Sequence, residues 1–206
     1  FNIRFYFIKS FNYYAHMFIF KKNYFLLIES IKDINLKNIK KKEKFIIIYR
    51  NKKNIENISN LLRFRKLCKT KKIRFYVAND NNLATKLLAD GLYISANNFS
   101  LANNFTNNYP VKIIGSAHNL KEYKIKKLQK CTTIIFSRLF RTSYTHKKGF
   151  LGIVKFNLIS KLIGEEFVPL GGIKVSNLNK LFMNKAESFV IMSEVKKKPA
   201  IIDRLF

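Results

Sequence analysis

Acidic residues, glycine, proline and cysteine are all scarce in this 206-residue chain, and each shortage removes a class of answer. With 7 Gly and 3 Pro there is no Pro/Gly-rich linker, and no internal repeat appears, so a single domain is expected. The two cysteines, Cys68 and Cys131, show no CxxC or Cys/His spacing. They read as two reduced, buried thiols of a cytoplasmic protein. No apolar run reaches the about 18 residues that a spanning helix needs, so no membrane span is expected. The opening "FNIRFYFIKSFNYYAHMFIF" is aromatic but broken by Arg4, Lys9 and His16, and it lacks a small-residue cleavage site. The chain opens on Phe1 rather than Met, and a missing or trimmed start is the expectation.

The 12 Asp+Glu face 40 Lys+Arg, a formal net charge of +28. Such a charge sets up an attractive field for nucleic acid, anionic lipid or phosphorylated metabolites. It is a weak functional signal here. The excess is mostly Lys, accompanied by abundant Asn, Ile, Phe and Tyr, residues that share A/T-rich codons, so base composition is enough to produce this bias without selection for binding. Arg, the better residue for bidentate phosphate or base-edge contacts, is the scarcer cation. No motif for nucleic-acid recognition appears, and no specific nucleic-acid partner is expected. The chain is 48% hydrophobic with 20 Phe and 10 Tyr, enough to bury a core.

Short apolar runs recur: "NYFLLIES", "KFIIIYR", "IRFYVAND", "DGLYIS", "VKIIGSAH", "TTIIFSRL", "EFVPLGGI" and "SFVIMSE". Each is continuous rather than alternating, as expected of strands covered on both faces. Between them, helix-like stretches cover Asn54–Lys69, Leu83–Leu88, Leu101–Asn108, Leu120–Gln129, Leu151–Ile163 and Val175–Met183, with a weaker one at Ile34–Lys41. A doubly wound open sheet would alternate similarly, but eight strands over roughly 180 residues favour a single (β/α)8 TIM barrel of the α/β class. Residues 23–206 are assigned to it and 1–22 to an aromatic N-terminal extension. Three roles stay open for the extension: a helix closing the barrel bottom, a contact in a homo-oligomer, or a membrane-facing patch.

In a barrel the strand C-termini form the active site. Those ends carry Arg50 and Lys52; Asn79 and Asp80; Ser95 with Asn97 and Asn98; Ser116 and His118; Ser137, Arg138 and the loop "FRTSYTHKKG"; Gly171 and Gly172; and Met192 and Ser193. Gly-Gly after strand seven lets backbone N–H groups approach a phosphate, and the loops after strands seven and eight are the common phosphate site of such barrels. Arg50 and Lys52 would neutralise a second anionic group. Asp80 would hold Mg²⁺ bridging phosphate oxygens. Each has a plainer reading: Asp80 and His118 as helix caps, Gly171-Gly172 as a turn, Arg50 and Lys52 as solvated surface. Their convergence on one rim favours the functional one.

Taken in order, "R-x-K" after strand two, "ND" after three, "ADG" opening four, "IGSAHNLKE" at five, a Thr-bearing loop after six, "LGGI" at seven and "VIMSE" at eight resemble the thiamine-phosphate synthase/TenI family, from about Tyr24 to Ser193. The resemblance implies a transferase that joins a hydroxymethylpyrimidine pyrophosphate to a thiazole phosphate, small phosphorylated substrates, and Mg²⁺ as cofactor. It implies that Arg50, Lys52 and Asn79 contact the pyrimidine pyrophosphate, that Asp80 ligates the metal, that Ser116 lies beside the pyrophosphate and that Thr142 begins a covering loop. Gly171, Gly172, Met192 and Ser193 would hold the thiazole phosphate.

Some positions depart from the family pattern. Asn98, an uncharged oxygen ligand expected to join Asp80 on the metal, stands where a second metal carboxylate is expected, Asn81 replaces Arg, and Tyr93 replaces His. The covering loop reads "RTSYTHKK", in which Lys147 or Lys148 would substitute for the family's lysine. The family's sister activity, thiazole tautomerisation, uses a histidine for proton transfer, and His118 falls in the matching segment. A homologue that binds a phosphorylated ligand without turnover is a further alternative. A basic nucleic-acid-binding protein is the alternative from another class.

Overall fold

The computed structural model describes residues 23–39, 42–51, 56–101, 112–142, 149–165, 167–184 and 186–192. Within them the parallel strands β1 (Asn23–Ile28), β2 (Phe45–Tyr49), β3 (Arg74–Ala78), β4 (Gly91–Ile94), β5 (Lys112–Ala117), β6 (Thr133–Ser137), β7 (Phe167–Leu170) and β8 (Ser188–Ile191) close into a barrel in sequence order. β8 returns to β1, with Phe25 opposite Val190.

The continuous apolar runs are explained by burial on two faces. Alternate residues point into the barrel, where Phe25, Leu27, Ile46, Ile48, Tyr76, Tyr93, Ile114, Ile135, Val168 and Val190 form one cluster. Their neighbours, such as Tyr24, Leu26, Ile47, Phe75, Ile134 and Phe189, pack outward in a second cluster beneath the helices. Gly91 is needed inside: a Cβ there would meet the Tyr76 ring at 2.0 Å.

Helices α1 (Ile58–Thr70), α2 (Asn81–Lys86), α3 (Leu120–Leu128) and α4 (Gly152–Ile163) cover the barrel. The first buries Leu61, Phe64, Arg65 and Cys68, a stripe at three- and four-residue spacing. Arg65 donates to Asp90 Oδ1 at 2.8 Å, and Asp90 Oδ2 accepts the Phe75 N–H at 2.7 Å. The acid of the "ADG" motif therefore ties α1 to β3 and is structural. The last helix ends on Gly164 in the left-handed region, φ 72°.

Two helical expectations are corrected. Val175–Met183 is a 3-10 segment, and the stretch read as Ile34–Lys41 holds one short 3-10 turn at Leu36–Asn38, with further turns outside it at Ile31–Asp33 and Lys42–Lys44. Asn and Ser side chains there compete for the backbone: Asn177 Oδ1 accepts the Lys174 N–H, Asn35 Oδ1 that of Lys37, and Ser30 Oγ that of Lys32. The helix read at Leu101–Asn108 lies, apart from Leu101, outside the described residues, as do the extension 1–22 and the chain from residue 193. Among the described residues no helix is long and apolar enough to cross a membrane.

Candidate active site at the barrel mouth

Strand periodicity decides which rim side chains face the centre. Arg50 lies two residues past inward-facing Ile48, Ser116 two past Ile114, Ser137 two past Ile135 and Met192 two past Val190, so each continues an inward line. His118 follows Ser116 at the same interval.

Arg50 is held by its backbone N–H, which donates to the Ile28 carbonyl at 2.8 Å. Its Nε is buried and has no hydrogen-bond partner among the described residues. An unpaired buried donor costs about 1–3 kcal/mol, so this nitrogen fits an anion. Its guanidinium lies beside Tyr93, whose hydroxyl donates to Ser116 Oγ at 2.8 Å. Burial pushes the Tyr93 hydroxyl up from its usual range, with the Ser116 bond and the Arg50 charge pulling the other way, and it stays protonated. Ser116 accepts from Tyr93 and keeps its own O–H for a ligand.

Asn79 ties β3 to β4. It takes the left-handed conformation, φ 56°, which Asn tolerates, and its N–H donates to the Tyr93 carbonyl at 2.8 Å. Its Oδ1 accepts from the Ser95 N–H at 2.9 Å and from Asn98 Nδ2 at 3.3 Å, while its Nδ2 donates to Ser95 Oγ at 2.9 Å.

Asp80 caps α2: its Oδ1 accepts the Leu83 N–H at 2.8 Å. Among the described residues its second oxygen accepts no hydrogen bond, so capping and metal binding are compatible. Asn98 spends its Oδ1 on the Ser100 N–H at 3.1 Å. No group of three or more His, Cys, Asp or Glu gathers among the described residues. The donor set therefore fits a Mg²⁺ held mostly by substrate phosphates and water, which Asp80 would ligate while Asn98, its Oδ1 already engaged, adds little, and not an all-protein cage.

His118 sits where β5 passes into α3. Its N–H donates to Glu122 Oε2 at 2.7 Å, and Asn119 caps the helix through the Glu122 N–H at 2.9 Å. The glutamate of "GSAHNLKE" is thus a capping residue. His118 Nδ1 and Ser137 Oγ share a hydrogen bond at 2.5 Å, its direction following the tautomer. The sequence reading places Ser137 on the rim but gives it no role; the bond to His118 supplies one.

Across the mouth, Gly171 (φ 105°) and Gly172 (φ 67°) require glycine. A Cβ on Gly172 would lie 2.4 Å from the Arg141 carbonyl oxygen, so β7 packs directly on the backbone after β6. Arg138 Nη1 donates to Thr142 Oγ1 at 3.2 Å. Of the expected site residues, Lys52 and Ser193 lie outside the described residues, as do Lys147 and Lys148.

The model of the thiamine monophosphate synthase family matches residues 27–195, from β1 past β8. The chain belongs to that family. The thiamine-phosphate synthase of Pelagibacter ubique is 30% identical over 142 residues, 66% of this chain and 67% of that one. That of Staphylococcus carnosus is 26% identical over 140 residues, 66% of each. Among solved structures, thiamine phosphate pyrophosphorylase from Pyrococcus furiosus superposes with a TM-score of 0.68 at 16% identity, covering 92% of this chain and 95% of that one, and shares the barrel fold. The function is therefore thiamine-phosphate synthase-like and the enzyme class a transferase. At the mouth of this barrel Asn79-Asp80 follow β3 and Gly171-Gly172-Ile173 follow β7, with the Tyr93 hydroxyl on Ser116.

Proposed function

We propose that this chain joins a hydroxymethylpyrimidine pyrophosphate to a thiazole phosphate and releases pyrophosphate. The observation that carries the reading is the buried, unpartnered Arg50 Nε on the inward rim of a barrel of this family. The diphosphate lies on the β2–β5 side of the mouth and the thiazole phosphate against Gly171, Gly172, Met192 and Ser193.

The C–O bond to the diphosphate breaks with its electron pair leaving on oxygen, and the thiazole nitrogen captures the resulting pyrimidine cation. Arg50, with Lys52, receives the leaving charge through preorganised donors. Ser116 donates its hydroxyl to a diphosphate oxygen while Tyr93, held protonated, fixes that hydroxyl's direction. Asn79 holds the ends of β3 and β4 as one unit, so the reacting atoms meet without reordering the rim. Mg²⁺, held by Asp80 with Asn98 nearby, would supply charge neutralisation to the departing pyrophosphate. Thr142, bonded to Arg138, is assigned to the pyrophosphate in the same reading. A cytoplasmic location and small phosphorylated partners belong to the same reading, with no specific nucleic acid.

The 2.5 Å pair of His118 and Ser137 favours a second reading, thiazole tautomerisation with His118 moving the proton. One assay separates the two. Purified protein with both substrates and Mg²⁺ is expected to form thiamine phosphate, read by thiochrome fluorescence, and His118→Ala is expected to retain most of it. No coupled product, with isomerisation of the thiazole carboxylate phosphate that His118→Ala abolishes, would replace the synthase by the tautomerase.

A further inference from the structure

The side chain of Lys126 is completely buried, at 0% exposure, on the barrel-facing side of α3. Its stem crosses Gly115, where an added Cβ would lie 3.0 Å from Lys126 Cδ and 2.7 Å from Cys131 Sγ. Its Nζ donates to the Asn98 carbonyl at 2.6 Å and to Gln129 Oε1 at 2.9 Å. Gln129, at 4% exposure, donates from Nε2 to the same Asn98 carbonyl at 2.9 Å and to the Ser100 carbonyl at 2.8 Å.

Burying an ammonium is expensive unless its donors are used, and here they are directed at the loop that follows β4. A charge-assisted bond and a second amide on one carbonyl fix that loop more firmly than apolar packing would. The same residue whose carbonyl is gripped from behind, Asn98, presents its side chain forward to Asn79. The clamp and the mouth therefore share one residue.

We propose that Lys126 and Gln129 are positioning residues: gripping the loop after β4 from behind, they hold Asn98 and Asn79 in place for the substrate diphosphate. The inference rests on the diphosphate reading given under the proposed function. Neither residue touches substrate. Both act through Asn98, in the manner of outer partners that orient a binding group.

The test is calorimetric titration of inorganic pyrophosphate with Mg²⁺, and separately of thiazole phosphate, into the whole chain, Lys126→Met and Gln129→Leu. The expected result is a loss of pyrophosphate affinity of about tenfold in either variant, with thiazole phosphate affinity unchanged. Added to Asn98→Ala, the same substitutions should cost little more, because coupled groups are not additive. Gln129→Leu keeps the buried lysine and carries the test if Lys126→Met does not fold. A folded Gln129→Leu that binds pyrophosphate like the unaltered chain, or that loses both ligands equally, would overturn the clamp alone. An unaltered chain that binds no pyrophosphate would overturn the diphosphate reading as well.

Discussion

On the β2–β5 side of the mouth, side chains hold one another: Arg50 against Tyr93, Tyr93 on Ser116, Asn79 across to Ser95 and Asn98. On the β6–β8 side the glycines pack directly on the chain, Gly171 against Arg138 and Gly172 against Phe140 and Arg141. In the proposed reaction the two sides serve different halves. A leaving diphosphate accumulates charge and needs directed, preorganised donors, whereas a phosphate that merely anchors its substrate is met well by glycine N–H groups. The contrast also implies different sensitivities. A substitution on the first side should strike turnover and spare the fold, and one on the second should strike the fold.

The largest expected effect is at Arg50. Arg50→Ala should lower the rate of thiamine phosphate formation by about 10²–10³, as removal of a transition-state donor does, with the melting temperature little changed. A loss of stability matching the loss of activity would erase the difference between the two sides. Next, Gly172→Ala should destabilise the protein by about 2–3 kcal/mol in denaturant unfolding, because φ 67° and the Arg141 carbonyl both oppose a side chain. A stable variant defective only in thiazole phosphate binding would assign this side to chemistry instead.

At Asp80 the two kinds of role meet, and a pair of variants separates them. Asp80→Ala should lose about 1 kcal/mol through the cap, while Asp80→Asn, still a good cap, should keep that stability. Both should lose Mg²⁺-dependent turnover. An Asn variant as active as the parent would leave Asp80 as a cap and nothing more.

The smallest effect concerns the thiols behind the side-chain half. Burial pushes Cys68 up to about 12 and Cys131 to about 11, against an ordinary value of 9.0. The native protein keeps both protons where the unfolded chain would lose them. Stability from this source is thus complete below pH 9 and declines as pH rises toward 11 and 12. Native protein at pH 8 should resist a thiol reagent that labels it once unfolded; fast native labelling of Cys131 would show that the layer behind β5 is open.

The strands were legible because closure buries both of their faces, so "KFIIIYR" and "IRFYVAND" declare themselves as unbroken runs. The rim was legible for the same reason, since each run has a definite end and Arg50, Asp80 and His118 stand at three of them. The 3-10 segment at Val175–Met183 was not, because its apolar spacing imitates a helix while Asn177 diverts the backbone. Nor could local pattern separate structural from functional motif residues. Asp90 and Glu122 belong to the recognisable strings, yet they fasten helices. The pairing of Ser137 with His118, and the roles of Lys126 and Gln129, were hidden for another reason. These partners lie 19 to 31 residues away in sequence, and only the closed barrel brings them together.

The most direct measurement is a crystal structure of the chain with inorganic pyrophosphate and Mg²⁺. The account predicts pyrophosphate hydrogen-bonded to Arg50 Nε and Ser116 Oγ, with the metal on the second oxygen of Asp80. Pyrophosphate bound only against Gly171 and Gly172, with Arg50 Nε still unpartnered, would contradict it.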